Sequence, residues 1–119
     1  MKAAAGRPGM RRCRTIALAE IREFAEQIAA RFRPRKIILF GSRAHGDART
    51  GSDVDLLVVV DAPPAQDASL EIRRKITYDF PVDIVVVDER RLRKRVQAGD
   101  FLLRDAVTTG KVLYERPDR

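Results

Sequence analysis

Residues 15–32 contain the first regular pattern of the chain, in which apolar side chains recur every three or four positions. Charged residues fill the positions between them, which is typical of an amphipathic helix with one face in a core. Thr15 is expected to cap the start of this helix and Pro34 to end it. The apolar residues of this face are Ile16, Ala17, Ile21, Phe24, Ala25, Ile28, Ala29 and Phe32.

Short apolar runs rich in β-branched residues predict strands in the rest of the chain. Their sequences are "KIILF" (36–40), "DVDLLVVVD" (53–61), "VDIVVVD" (82–88) and "KVLYE" (111–115). Helices are predicted for 66–79, 89–97 and 100–109, with Gly99 separating the last two. In the helix at 66–79 the side chains expected to face inward are Leu70, Ile72, Ile76 and Tyr78.

These elements follow the order α-β-β-α-β-α-α-β and predict an α/β (α+β) domain. A small mixed β-sheet of about four strands flanked by helices is the natural packing for such an order. The first residues mix Gly, Pro, Ala and Arg without periodicity, so we expect residues 1–13 to be a flexible basic tail and residues 14–116 to form a single domain.

Composition narrows the functional classes. The chain has 119 residues, 45% of them hydrophobic, and a formal net charge of +7. No apolar run is long enough to span a membrane, the first 14 residues lack the apolar core expected of a signal peptide, and Cys13 is the only cysteine. We therefore expect a cytoplasmic protein without disulfides. The positive charge favours anionic partners, and the Arg-rich segment 90–95 is either a solvated helix face or a contact for such a partner.

Three carboxylates raise the main chemical question. Asp53 and Asp55 lie two residues apart in a strand, so they share one face. At a separation of about 6 Å and an effective dielectric near 20, their repulsion costs about 3 kcal/mol. Asp83 occupies the second position of the third strand. If the second and third strands are parallel, all three carboxylates lie at one end of the sheet, where Gly41 and Ser42 also arrive.

Two explanations remain for these carboxylates. In the structural one each Asp is a strand-end cap or turn residue, as fits Asp61 and Asp88, and Arg43 or Arg49 neutralises one of the others. In the functional one they bind a divalent metal, and a site made only of carboxylate oxygens suits Mg²⁺ or Mn²⁺. We prefer the metal, because three converging carboxylates have no obvious neutralising group nearby in the sequence.

The phosphate side is predicted at "FGSR" (40–43). A glycine at a strand end lets a ligand approach the backbone closely, and a following helical turn directs N–H groups outward. Ser42 adds a hydroxyl donor and Arg43 a charged one. His45, the only histidine, is either a loop residue or a further substrate contact.

Ten residues separate Gly41-Ser42 from Asp53-Val54-Asp55. This spacing resembles the signature of the DNA polymerase beta-like nucleotidyltransferase superfamily, and "GSRAHGDARTGSDVDLLVVVD" is similar to its minimal nucleotidyltransferases, small proteins often encoded beside a HEPN-domain toxin. The resemblance implies the nucleotidyltransferase fold, and it covers about residues 15–115. It assigns Asp53 and Asp55 to two metal ions, Asp83 to the catalytic metal and the acceptor hydroxyl, and Gly41 and Ser42 to the phosphates.

What the resemblance implies is an enzyme that uses ATP and Mg²⁺ (Mn²⁺ as the alternative ion) to place AMP on a hydroxyl, releasing pyrophosphate. The expected acceptor is a tyrosine of a cognate HEPN toxin, and the acceptor surface would come from this partner or from a second copy in a homo- or hetero-oligomer. The alternative is a non-catalytic antitoxin that neutralises its partner by occlusion. Nucleic-acid binding through residues 90–95 is less favoured, because no interleaved aromatic residues accompany the charge.

Overall fold

The computed structural model describes residues 16–41 and 54–117, which form four helices and four strands. Their order is the predicted one, α-β-β-α-β-α-α-β. The elements are α1 (Leu18–Phe32), β1 (Lys36–Phe40), β2 (Val54–Val60), α2 (Ala68–Lys75), β3 (Val82–Asp88), α3 (Glu89–Gln97), α4 (Phe101–Thr109) and β4 (Lys111–Glu115).

The four strands form one mixed sheet in the order β3-β2-β1-β4. β1 runs antiparallel to both of its neighbours, whereas β2 and β3 run parallel and are connected through α2. A parallel pair requires such a crossover, since a tight turn can join only antiparallel strands. The expectation of a mixed sheet flanked by helices is therefore confirmed.

Both faces of the sheet are covered, as the nearly continuous apolar runs in its strands require. On one face α1 and α2 pack on alternate strand residues such as Ile37, Leu39 and Leu56. On the other face α3 and α4 pack on Ile38, Leu57 and other residues of the opposite parity. The sheet is thus the central layer between two helical layers.

An aromatic cluster joins α1 to the segment before β3. The ring of Phe24, 1% exposed, lies 5.1 Å from the ring of Tyr78 and 5.5 Å from that of Phe80 between centroids. The second pair is edge to face, a favoured arrangement for aromatic rings. These contacts fix the path of the chain as it enters β3.

The structure corrects three details of the prediction. α2 spans only Ala68–Lys75, and Leu70 is 45% exposed rather than inward-facing, because it lies two residues from the buried Ile72 and so on the other side of the helix. Thr15 is not the cap of α1, since the N-cap position belongs to Ala17, which makes no side-chain capping bond. The tail predicted for residues 1–13 lies outside the described residues.

Asp88, Asp100 and Asp61 stabilise the ends of helices and strands, and their side chains are engaged within the protein. Asp88 and Asp100 cap α3 and α4 by accepting hydrogen bonds from the backbone N–H groups of Arg91 and Leu103. The hydrogen bond from the Leu103 N–H, and to a lesser extent the one from Arg95, lowers the pKa of Asp100 below its ordinary value.

No helix in the described part of the chain has the length and apolar character needed to cross a membrane.

Asp61 links three segments at the end of the sheet where β2 finishes. Its Oδ1 atom accepts hydrogen bonds from Arg116 at 2.9 Å and from Arg35 at 3.3 Å. Arg116 follows β4, and Arg35 precedes β1. The two guanidinium groups, Arg116 foremost, hold the pKa of Asp61 below its ordinary value of 3.8.

We predict that Phe24→Ala lowers the free energy of unfolding by about 3–5 kcal/mol, because it removes a buried ring from a packed cluster. Phe101→Ala is the matched control, since Phe101 is 81% exposed. This control should change the free energy by no more than about 0.5 kcal/mol. Chemical denaturation measures both values, and equal losses would contradict the position of Phe24 in the core.

We also predict that the difference in stability between wild type and Asp61→Asn depends on pH. A carboxyl group with a depressed pKa in the folded state stabilises the protein above its ordinary value of 3.8 and loses this contribution as the pH falls through the folded value. Asp61→Asn should be less stable than wild type at neutral pH, and the two should converge as the pH falls through the depressed folded-state pKa of Asp61. Urea unfolding from neutral to acidic pH measures the effect. Asp67→Asn, which makes the same change at an exposed position without a side-chain cap bond, should match wild type in stability at neutral pH.

Candidate active site

One row of residues crosses three adjacent strands at the end of the sheet opposite Asp61. Asp55 on β2 is in register with Phe40 on one side and with Asp83 on the other. Gly41 follows Phe40 directly and ends β1. The sequence prediction that Gly41, Asp55 and Asp83 meet at one end of the sheet is therefore confirmed for these three residues.

The two carboxylates of the row lie on the same face of the sheet. Asp55 shares its face with Leu57, and Asp83 shares its face with Val87, and both of these apolar residues pack under α3 and α4. The strands carrying the carboxylates are about 4.8 Å apart, so at an effective dielectric near 20 two such charges repel by about 3 kcal/mol. Asp55 is half-buried and Asp83 is exposed. Solvent screens part of this repulsion at the exposed Asp83, and a cation at this position would relieve the rest.

Arg73 of α2 supplies part of that positive charge. Its Nη2 atom lies 3.8 Å from Oδ1 of Asp83, and the side chain of Asp83 is 69% exposed. A pair this long and this exposed contributes at most about 1 kcal/mol. The sequence analysis proposed Arg43 or Arg49 as the partner and did not identify Arg73. A contact between α2 and the start of β3 leaves no local pattern in the sequence.

Gly41 is required by both backbone and space. Its φ angle is +81°, a region that residues with a side chain rarely adopt. A Cβ atom at this position would overlap the carboxylate of Asp55. The absence of a side chain at residue 41 therefore lets the Asp55 carboxylate lie close to the backbone, and we call this arrangement the glycine cradle.

The remaining predicted site residues fall outside the described residues. They are Ser42, Arg43, Asp53 and His45, together with Arg49. The placement of Asp53 beside Asp55 and of Ser42 and Arg43 beside Gly41 remains a prediction from strand periodicity and from the resemblance. Within residues 16–41 and 54–117 no three His, Cys, Asp or Glu side chains form a metal-binding group.

The observed part of the site fits a divalent cation with oxygen ligands. Asp55 and Asp83 present carboxylates from neighbouring strands, and the Asp55 carboxylate lies close against the backbone at Gly41. Mg²⁺ and Mn²⁺ bind to one or a few carboxylates and complete their coordination with water and substrate phosphates. Two carboxylates beside a glycine cradle match that requirement, and Asp53 would add a third.

Comparison with protein families gives one match that spans most of the chain. The family described as "Polymerase beta, Nucleotidyltransferase" matches residues 21–119. A protein of Methanocaldococcus jannaschii named "putative protein adenylyltransferase" is 32% identical over 96 residues, which cover 79% of this chain and 94% of that protein.

Solved structures agree in fold. A "putative nucleotidyltransferase" from Sulfolobus solfataricus superposes with a TM-score of 0.58 at 27% identity, covering 83% of this chain and 80% of that one. A toxin–antitoxin structure with AMP-PNP gives a TM-score of 0.58 at 26% identity, covering 80% of this chain and 73% of the other. With the family match over residues 21–119, these likenesses confirm the resemblance found in the sequence: the chain belongs to the polymerase beta nucleotidyltransferase family.

Proposed function

We propose that this protein is a Mg²⁺-dependent adenylyltransferase that moves AMP from ATP to a hydroxyl group of a partner protein and releases pyrophosphate. The observation that carries the proposal is the row across β1, β2 and β3, in which Asp55 lies between the glycine cradle and Asp83. In-line transfer needs the acceptor oxygen and the leaving pyrophosphate on opposite sides of the reacting phosphorus. The row is proposed to bind the nucleotide on one side of Asp55 and the acceptor on the other.

The nucleotide belongs on the β1 side. Gly41 lets a phosphate approach the backbone next to Asp55, and the residues that follow it, Ser42 and Arg43, offer a hydroxyl and a guanidinium as donors. Negative phosphates placed beside Asp55 need an intervening cation, which is the role proposed for Mg²⁺.

Asp53, Asp55 and Asp83 would hold the metal, as two ions according to the family resemblance. When bound, the metal neutralises charge on the phosphates and lowers the pKa of the acceptor hydroxyl. Asp55 lies in the middle of the row, and the pairing of its strand with both β1 and β3 fixes its position.

The acceptor belongs on the β3 side. Asp83 is exposed, and β3 is the outer strand of the described sheet. Its carboxylate can accept a hydrogen bond from an approaching hydroxyl and orient it toward the phosphate. The hydroxyl proton then passes to a carboxylate or to water as the new phosphate ester bond forms and pyrophosphate leaves.

The partner proposed is a cognate HEPN toxin, modified on a tyrosine, with this protein as its antitoxin. The support is the sequence resemblance, together with the structural likeness to a toxin–antitoxin structure with AMP-PNP, an ATP analogue. The relative named as a protein adenylyltransferase supports AMP as the transferred group. Occlusion of the toxin without catalysis is the competing explanation, and the experiment below separates the two.

We predict that Asp55→Asn combined with Asp83→Asn lowers AMP transfer by at least about a hundredfold, because the charges that hold the metal are lost. The assay incubates the full chain with ATP labelled in the α-phosphate, MgCl₂ and the purified product of the neighbouring gene, and measures label on the partner. Omission of MgCl₂ should lower transfer by the wild-type protein by at least as much as the double substitution does.

Asp67→Asn serves as the control, since it makes the same chemical change at an exposed position at the start of α2. It should leave transfer within twofold of wild type. Undiminished transfer by the double variant would contradict the proposed mechanism. Undiminished toxin neutralisation by a double variant that no longer transfers label would favour occlusion.

A second prediction separates the cradle from general backbone strain. Gly41→Ala and Gly99→Ala both place a side chain at a positive φ angle, +81° and +98°, so each should lose about 1 kcal/mol of stability. Only Gly41→Ala puts a Cβ against Asp55, whereas nothing lies within 4 Å of a Cβ at Gly99. Titration with Mg²⁺ and AMP-PNP should show at least tenfold weaker binding, about 1.4 kcal/mol, for Gly41→Ala alone. Equal affinities for the two variants would contradict the proposal that the glycine cradle takes part in binding the nucleotide and its metal.

A further inference from the structure

A groove of about 640 Å³ lies on the face of the sheet covered by α3 and α4. We call it the basic groove. One side of α3 and the end of α4 form its walls, and the strands β1 and β4 lie beneath it. The residues that line it are Arg35, Lys36, Ile38, Val59, Glu89, Leu92, Arg93, Val96, Val107, Val112, Glu115, Arg116 and Pro117.

The floor of the basic groove is aliphatic and incompletely covered. Ile38 and Val59 are buried beneath it, each 3% exposed, whereas Val107 and Val112 remain 46% and 47% exposed. Exposed valines beside a concave apolar floor are typical of a surface that another chain covers. The apolar part of the groove therefore calls for an apolar strip on its ligand.

The rim of the groove carries more positive than negative charge. Its cations are Arg35, Lys36, Arg93 and Arg116, and its acids are Glu89 and Glu115. Arg35 pairs with Glu89 at 3.0 Å and Lys36 with Glu115 at 3.8 Å, and Asp61 outside the groove pairs with Arg116 and Arg35, so three of the four rim cations are engaged. In the described part of the chain Arg93 makes no ion pair, and the same holds for Arg90, Arg91 and Lys94 on the outer side of α3. The unpaired cations of α3 therefore favour an acidic ligand along this side of the groove.

The lining side of α3 presents Glu89, Leu92, Arg93 and Val96. These positions follow the i, i+3, i+4, i+7 spacing of one helical face, with apolar residues toward the floor and Arg93 at the rim. A second helix laid along the groove would meet matching rows, apolar in the middle and charged at the side. The Arg-rich segment that the sequence singled out is thus the wall of a groove rather than only a solvated surface.

Charge and composition decide among the occupants. The N-terminal residues of this chain include Arg7, Arg11, Arg12 and Arg14, which the basic rim would repel. Nucleic acid is disfavoured, because the lining has no aromatic residue for base stacking and its floor is apolar. We propose that the basic groove docks an acidic amphipathic helix of a partner protein, with its apolar side on the valine floor and its carboxylates on the rim.

The groove and the candidate active site lie at different ends of the same sheet face. Val59 in the groove floor is four residues beyond Asp55 on β2, about 13 Å along the strand. A helix docked in the groove leaves the row at Asp55 and Asp83 uncovered. It can therefore anchor a protein substrate while another part of that protein presents its hydroxyl. This use rests on the proposed function, but the binding itself does not.

The test uses the full-length protein and a fluorescein-labelled synthetic peptide that forms three helical turns, with Leu at positions i, i+3, i+4 and i+7 and Glu at most others. Fluorescence anisotropy measures affinity, and amide chemical shifts locate the contact. We expect Arg93→Glu and Val112→Asp each to weaken binding about tenfold. Arg90→Glu is the matched control on the same helix, since Arg90 is exposed and outside the groove. It should change affinity less than twofold.

Other outcomes would overturn the proposal. A scrambled peptide of the same composition that binds equally well would show charge attraction without a groove. Equal losses in Arg90→Glu and Arg93→Glu, or tighter binding of a labelled single-stranded oligonucleotide, would assign the surface to nucleic acid. Dimerisation that Arg93→Glu abolishes in sedimentation would assign it to a second copy of this chain. The double variant Asp55→Asn/Asp83→Asn should bind the peptide normally, so failure of docking and failure of transfer can be told apart.

Discussion

The parallel pairing of β2 with β3 is the interaction on which the site depends. It places Asp55 beside Asp83 because the register runs from Val54 opposite Val82 to Val60 opposite Asp88. A shift of one residue would turn every side chain of β3 to the opposite face, removing Val82 and Ile84 from the core under α1 and α2 and turning Asp83 toward it. The apolar core therefore enforces the position of the carboxylates, and the site needs no separate device to hold it.

Much of this arrangement could be predicted from the sequence, for a physical reason. A buried parallel strand reads as a continuous apolar run, so an aspartate at its start is conspicuous, as at Asp83. The parallel direction followed from the helix between β2 and β3, and the meeting of Gly41 with the carboxylates followed from the short path between β1 and β2. The fold and the row were therefore accessible from local patterns.

Other features depend on contacts distant in sequence. The pairing of Arg73 with Asp83, the joining of Asp61 to Arg35 and Arg116, and the basic groove all require the packed structure. Leu70 was assigned to the wrong face, since it lies two positions from the buried Ile72 and so on nearly the opposite side of α2. In a helix as short as α2 the apolar pattern does not identify the buried face, and it does not show which element covers that face.

The outer position of β3 has a consequence for the choice of substrate in the proposed function. Because no described strand lies beyond β3, Asp83 stands at a rim of the sheet. A closed pocket selects an acceptor by its size and shape, whereas a rim accepts a hydroxyl on a loop of a large folded molecule as readily as one on a small molecule. If Asp83 receives the acceptor as proposed, selectivity would come from surfaces remote from the chemistry, and the range of acceptors would be free to change in evolution while the row of Gly41, Asp55 and Asp83 stays the same.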